Sequence, residues 1–466
     1  MSLLATDLVG TGRFRAYGPR QLDEIADRYG LPTEVRETVR LVSLVLPFRV
    51  NAYVLNELID WDRVPDDPMF QLVFPQRGML PEQDERGLAA LSADPGTKAG
   101  LRALVQQIRG RLNPHPSGQK ELNVPTTRDG APLPGMQHKY RETVLYFPSQ
   151  GQTCHAYCTY CFRWAQFVGD ADLRFAAPDP GGLVTYLGDH PDVTDILVTG
   201  GDPMIMTTER LVNHLEPLLG VDTVRTLRIG TKSVAYWPQR FVTDPDADDL
   251  LRLFEKVTAT GRNLAVMAHF SHPRELRTDM ARRAIARIRS TGAVVYCQAP
   301  LIARVNDDAA DLAALWRAEH AVGGVPYYMF VERDTGPYDY FKVPLARAVD
   351  LFQAAYRTLP GLARTVRGPV MSATPGKVVV DGVEDTPEGR FFQLRMLQAR
   401  QPALVGRPFR AFHDPAAAWL DELRLHPDTP ADIARAVTGS ARAAEAAEDR
   451  DDTADTGPLA VAAGAH

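Results

Sequence analysis

A chain of 466 residues with 45% hydrophobic and 24% charged content has the make-up of a globular protein with one large core and appendages. A net charge of −6 argues against a nucleic-acid binder. No apolar run is long enough to span a bilayer, and the N-terminal stretch lacks the ordered regions of a signal peptide. A cytoplasmic protein with neither nucleic-acid nor membrane partners is expected.

In chain order, residues 1–137 read as a helical region. QLDEIADRYG, VRETVRLVSLVLPFRVNAYVLNEL and PGTKAGLRALVQQIRGRLNP all carry apolar residues at helical spacing, with Pro and Gly at their margins. From 138 the rhythm changes to strand, loop, helix. TVLYF, DILVTG, TLRIG, NLAVMAHF, AVVYCQ and VPYYMF are six strand candidates, alternating with amphipathic helical segments such as ERLVNHLEPLL and RRAIARIRSTG. A flavodoxin-like sheet would show a similar pattern. The unusual residues fall at the C-terminal ends of the strands, where barrel active sites are built, and this favours an α/β fold with a partial (β/α)6 barrel over 138–385. GPVMSATPGKVVVDGVE reads as strand, Gly/Pro turn, strand. Residues from about 388 to 424, within a C-terminal extension over 386–440, read as helical and mixed. The Ala- and acid-rich tail 441–466 has the composition of a disordered segment.

Three of the four cysteines stand within CHAYCTYCFRW, where Cys154, Cys158 and Cys161 have the spacing C-x-x-x-C-x-x-C. Thiolates bind soft metal centres, and three of them leave one iron of a four-iron cluster without a protein ligand. A zinc site would want a fourth ligand, for which His155 lies inside the loop and Cys297 is distant. A disulfide pairing fits neither the count nor the compartment. Cys297, in an apolar run, is expected to be a buried and dispensable thiol.

The spacing, with Tyr160 before the last cysteine, resembles that of the radical S-adenosylmethionine (SAM) enzymes. The strand end followed by Gly200, Gly201 and Asp202 resembles the turn by which that family meets the amino group of SAM. VTGGDPMIM, LRIGTKSVAYWPQRF, AHFSHPREL, QAPLIARVNDD and VPYYMFVERDTGPYDYFKVPLARAVDLF then resemble, in order, segments of the lysine 2,3-aminomutase group, over about Gly135 to Val380. The resemblance implies a [4Fe-4S] cluster on Cys154, Cys158 and Cys161, SAM at Gly200, Gly201, Asp202, His269 and Gln298, and pyridoxal phosphate (PLP) as a Schiff base on Lys377. It further implies Lys139 and Lys232 at the PLP phosphate, Arg163 on the substrate carboxylate and Asp334 on a side-chain ammonium. The implied reaction is a 2,3-amino shift on a lysine-like amino acid. The implied partners are that small-molecule substrate, a reductant such as flavodoxin or ferredoxin, and a second copy of the chain in a homo-oligomer.

The chain departs from the group's pattern at six places, two of them Lys139 and Lys232, each standing where the group has an arginine. Ser271 replaces an Asn, Thr143 replaces a PLP-site arginine, and Ser372 replaces a second ammonium-binding aspartate. The glycine run before Lys377 is cut to Gly376 alone. With one carboxylate lost, Glu332 or Asp339 is a candidate substitute. These departures leave open a PLP-independent radical SAM enzyme of the same family acting on another substrate, and a non-catalytic cluster protein.

Overall fold

The computed structural model describes residues 14–113, 123–169 and 175–439; the acid-rich tail lies outside the described residues. Two short strands, β1 (Ala16–Tyr17) and β2 (Val50–Asn51), pair with each other within the N-terminal region. Its helices are led by Leu22–Tyr29, Thr33–Val42 and Lys98–Leu112. The first ends at Gly30, whose φ of 69° supplies the left-handed cap that a side chain would resist. The long helical candidate from Val35 to Leu58 does not run through. It stops at Val42, and Pro47, with no N–H to continue a ladder, is followed by β2 and a separate wide turn over Val54–Leu58.

Among the described residues, eleven strands form one sheet. In chain order they are β3 (Met136–Tyr140), β4 (Thr143–Tyr146), β5 (Asp195–Val198), β6 (Thr226–Thr231), β7 (Asn263–His269), β8 (Val294–Leu301), β9 (Val325–Val331), β10 (Arg367–Ala373), β11 (Gly376–Thr386), β12 (Gly389–Ala399) and β13 (Pro408–Phe412). Each lies beside its sequence neighbours. β4 to β10 run parallel, and the flanking pairs β3–β4, β10–β11, β11–β12 and β12–β13 are antiparallel. All six strand candidates are present, and β10 joins them as a further parallel strand. Helices such as Thr208–Leu219, Ala247–Ala259 and Asp279–Ser290 fill the crossovers, burying one face each, as parallel pairing requires.

The sheet is not flat. Lys139 on β3 donates to the Ala373 carbonyl on β10. Seven strand spacings of about 4.8 Å would put these strands roughly 34 Å apart in a flat sheet. The parallel run therefore curls until β3 comes beside the end of β10.

The segment 388–424 corrects the helical expectation. Phe392, Leu394 and Met396 are buried at alternate positions of β12, where pairing on both edges overrides the helical propensity of Leu, Met, Gln and Arg. These side chains join Val331, Leu345 and Trp419 in a second core outside the main one. Among the described residues no helix is long and apolar enough to cross a membrane.

Candidate active site

The cysteine loop follows β4 and is held by the N-terminal region. Buried Asn51 donates from Nδ2 to the carbonyls of His155 (3.1 Å) and Tyr236 (3.0 Å), and its Oδ1 accepts from the Val54 N–H. The Tyr157 N–H donates to the Arg49 carbonyl and the Thr159 N–H to the Leu72 carbonyl, both at 2.9 Å. A β4–β5 unit alone could not fix this loop; helices and turns of the first hundred residues do so. From the other side the turn after β5 presses in. A Cβ on Gly201 would stand 2.6 Å from the Thr153 backbone nitrogen and oxygen, and one on Gly200 (φ 153°) would stand 2.5 Å from Gln152 Nε2. These two glycines are required by the approach of the chain itself to the cysteine loop.

Cys154, Cys158 and Cys161 are all free thiols. Burial and one another's charge push Cys154 well above its ordinary range and Cys161 up to about 12. Cys158 is raised by burial, against the pull of Lys232 and of the Tyr236 hydroxyl 3.7 Å away. Three desolvated thiols, whose bare thiolates would repel one another, suit a centre that replaces their protons with metal and neutralises the charge. Among the described residues no three His, Cys, Asp or Glu side chains are placed around a single ion. A cluster has no such need, since each thiolate bonds a separate iron. His155 is turned to Ser233 Oγ at 2.8 Å, and burial brings its imidazole down to about 3.

Asp202 is committed to its own chain. Its carboxylate accepts from Met204 N, Thr231 Oγ1, Lys232 N and Ser233 Oγ at 2.7–2.9 Å, locking the β5 turn to the end of β6. Lys232 is committed likewise. Its Nζ pairs with buried Glu275 at 2.7 Å and reaches Ser271 Oγ at 3.1 Å, beneath the cysteine loop. His269 and Gln298 stand opposite each other in register near the ends of β7 and β8. His269 Nε2 lies 3.3 Å from the Tyr160 hydroxyl, and burial with the Lys232 charge keeps the ring neutral.

A second group gathers where β3 meets β10, β11 and the end of β12. Lys377, at the start of β11, donates to Gln398 Oε1 at 2.5 Å and lies 5.1 Å from the Tyr140 ring centre and 5.3 Å from that of Tyr328. Burial, then the charges of Arg228 and Arg367, bring its amine down to about 7 against the pull of Asp195. Around the turn before it, three cations each donate to one of three successive carbonyls. Arg333 Nη2 reaches Ser372 O (3.2 Å), Lys139 Nζ reaches Ala373 O, and Arg400 Nε reaches Thr374 O (2.9 Å). Burial and the neighbouring charges of Arg333, Arg400 and Lys377 depress Lys139 strongly. Thr143, in the position of the missing arginine, meets Arg228 Nη2 at 3.4 Å, while Arg228 itself pairs with Asp195 at 2.7 Å. Arg228, Arg333 and Arg400 were not singled out from sequence. Arg400 lies on the far side of a hairpin, and no local pattern marks it.

Arg163 packs its guanidinium 4.3 Å from the Phe147 ring centre and 5.2 Å from that of Phe162, and among the described residues no carboxylate pairs with it. Burial and the nearby Arg333 lower it to about 10, although Cys161 pulls the other way. Asp334 lies in the loop after β9, where its charge supports Arg333. Cys297 is buried in β8, away from the cysteine loop, with Glu319 as its charged neighbour.

No family model matches the chain. It is 33% identical over 393 residues to an Aquifex aeolicus (strain VF5) protein named "Putative L-lysine 2,3-aminomutase", covering 84% of this chain and 91% of that relative. It is 26% identical over 230 residues to L-lysine 2,3-aminomutase of Acetoanaerobium sticklandii, 49% of this chain and 52% of that one. It is 25% identical over 234 residues to the protein of the same name from Clostridium subterminale, 50% of this chain and 53% of that one. The long match to the Aquifex protein spans the cysteine loop, the parallel strands and the turn before Lys377 together, and on it the chain belongs to the lysine 2,3-aminomutase family, as a radical SAM isomerase of the aminomutase class.

Proposed function

We propose that this chain moves the α-amino group of a lysine-like amino acid to its β-carbon, with a [4Fe-4S] cluster, SAM and PLP. The curled sheet with its parallel run β4–β10 supports reading the scaffold as a partial (β/α)6 barrel, whose strand ends carry the site. Cys154, Cys158 and Cys161 would hold the cluster, and His269 and Gln298 would face SAM. The cluster and SAM supply hydrogen-atom abstraction, and PLP supplies a carrier for the migrating nitrogen.

The observation that carries the PLP reading is Lys377. Its amine is partly neutral near pH 7, as nucleophilic attachment of a carbonyl cofactor requires, and it sits beside cations that lack enough carboxylates of their own. Lys139, Arg333 and Arg400 are the groups that would hold a phosphate; each has N–H donors beyond the carbonyl contact. The charge absent at Thr143 is thus made up from other strands. Lys232, paired with Glu275 beneath the cysteine loop, is assigned instead to supporting that loop. Arg163 would take the substrate carboxylate, its guanidinium, near the last cysteine, pairing with no carboxylate among the described residues. A flavodoxin- or ferredoxin-type donor would supply the electron.

The test is spectroscopic. Purified protein saturated with PLP should show a visible absorbance band that borohydride abolishes, the signature of an imine between PLP and a lysine. Anaerobic incubation with L-lysine should yield its β-isomer. SAM cleavage with no such band would replace this reading with the PLP-independent one.

A further inference from the structure

Burial raises all three thiols of the cysteine loop, and a different cation opposes it at each: Lys232 at Cys158, Arg163 at Cys161 and Arg49 at Cys154. Lys232 is balanced by Glu275. Arg163 is already assigned to the substrate. Arg49 has no such duty, and it comes from the N-terminal region, which carries no motif of its own.

Arg49 directly precedes β2, and its carbonyl accepts from the Tyr157 N–H at 2.9 Å. Its guanidinium lies 5.9 Å from the Tyr157 ring centre and 5.7 Å from that of Phe14. Phe14 sets its edge against the His155 ring, with centres 4.7 Å apart, and the Tyr157 hydroxyl is 3.0 Å from Thr153 Oγ1. The guanidinium is thereby held against the stretch that contains Cys154. Its Nε is buried with no hydrogen-bond partner among the described residues. A buried charged donor left unmet is costly, so something else is expected to meet it. Local groups do not. His155 is kept neutral, and Asp202, the acid whose field reaches Cys154, is saturated by its four donors.

We propose that Arg49 faces the sulfur shell of the cluster beside Cys154 and raises the cluster's reduction potential. The inference rests on the reading that the three thiolates hold a [4Fe-4S] cluster. One electron from the flavodoxin- or ferredoxin-type donor takes the cluster core from a charge of about +2 to about +1, with no proton moved. The reduced form is the more negative one, so an adjacent buried cation stabilises it over the oxidised form. An N–H aimed at sulfur acts in the same sense. Arg49 touches no reacting atom; it acts through Cys154 and the cluster as a positioning residue.

The experiment is an anaerobic dithionite titration of reconstituted wild type, R49K, R49Q and R49M without SAM, with the reduced cluster followed by electron paramagnetic resonance. The backbone bond from Tyr157 to residue 49 does not need the arginine side chain, so the loop keeps that anchor in every variant. R49Q and R49M should hold native iron and be harder to reduce by about tenfold, a midpoint lower by about 59 mV for one electron. R49K keeps the charge and should stay near the wild type. An iron-replete R49Q or R49M with an unchanged midpoint overturns the inference, and so does an equal fall in R49K. If neither neutral variant takes up iron while R49K does, Arg49 serves assembly rather than potential, and the inference fails. A wild type that takes up no cluster removes the cluster reading itself. A loaded wild type with an unmoved midpoint in R49Q leaves that reading standing and removes only the role of Arg49.

Discussion

Lys377 shows how one residue type takes its chemistry from its surroundings. An exposed turn lysine is protonated at pH 7 and nucleophilically inert, whereas this one is enclosed and faces Arg228 and Arg367, with its amine brought down to about 7. Attachment of PLP needs the neutral amine, so the rate of PLP capture by the apo-protein should rise with pH and level off above about 7, being about tenfold lower at pH 6. Stopped-flow absorbance between pH 5.5 and 9 checks this. A rate that climbs tenfold per pH unit through pH 9 would mean an ordinary lysine. K377A should capture no PLP at any pH while keeping its iron.

At the scale of elements, the cysteine loop depends on two neighbours whose sequences contain no metal ligand. Asn51 spends its whole amide on three backbone groups around it, and the turn Gly200–Asp202 lies against residues Gly151–Thr153. G201A would drive a methyl group into the Thr153 backbone, which cannot move aside as a flexible side chain could. A loss of about 1–3 kcal/mol in stability is expected, in the range of overpacked sites. Cluster content should drop with it, because the loop must shift. Thermal unfolding and iron analysis of reconstituted protein measure both, and native iron content with an unchanged Tm would remove the turn from the supporting role.

At the scale of the whole molecule, the curl of the sheet makes the phosphate-binding group. Arg400, just past β12, and Lys139, on β3, lie far apart along the chain yet meet at the turn Ser372–Thr374. R400A should weaken PLP binding about tenfold, the size of one charge-assisted contact, while the cysteine loop some distance off keeps its iron. Fluorescence titration of PLP against the apo-variant checks it. Unchanged affinity would show that Lys139 and Arg333 suffice.

The cysteine spacing, the six strands and the turn before Lys377 were legible in the sequence because each is local: a ligand interval, an alternation of two, a Pro-Gly pair. Residues 388–424 were misread because the strand character of β12 comes from β11 and β13 on its two edges and not from its own propensities. The same reason separates residues that sequence alone treats alike. Lys139 and Lys232 look equivalent as cations near motif positions. Only the fold shows that Lys232 is spent on Glu275 and that Lys139 stays among uncompensated charges. Asp202 and Glu332 look equivalent as strand-end acids. One is saturated by four donors of its own chain and the other meets none among the described residues. Sequence determined which chemical groups this protein carries and in what local order. Tertiary structure decided which of them remain unpaired and able to meet a ligand, because pairing in a curled sheet joins residues far apart along the chain.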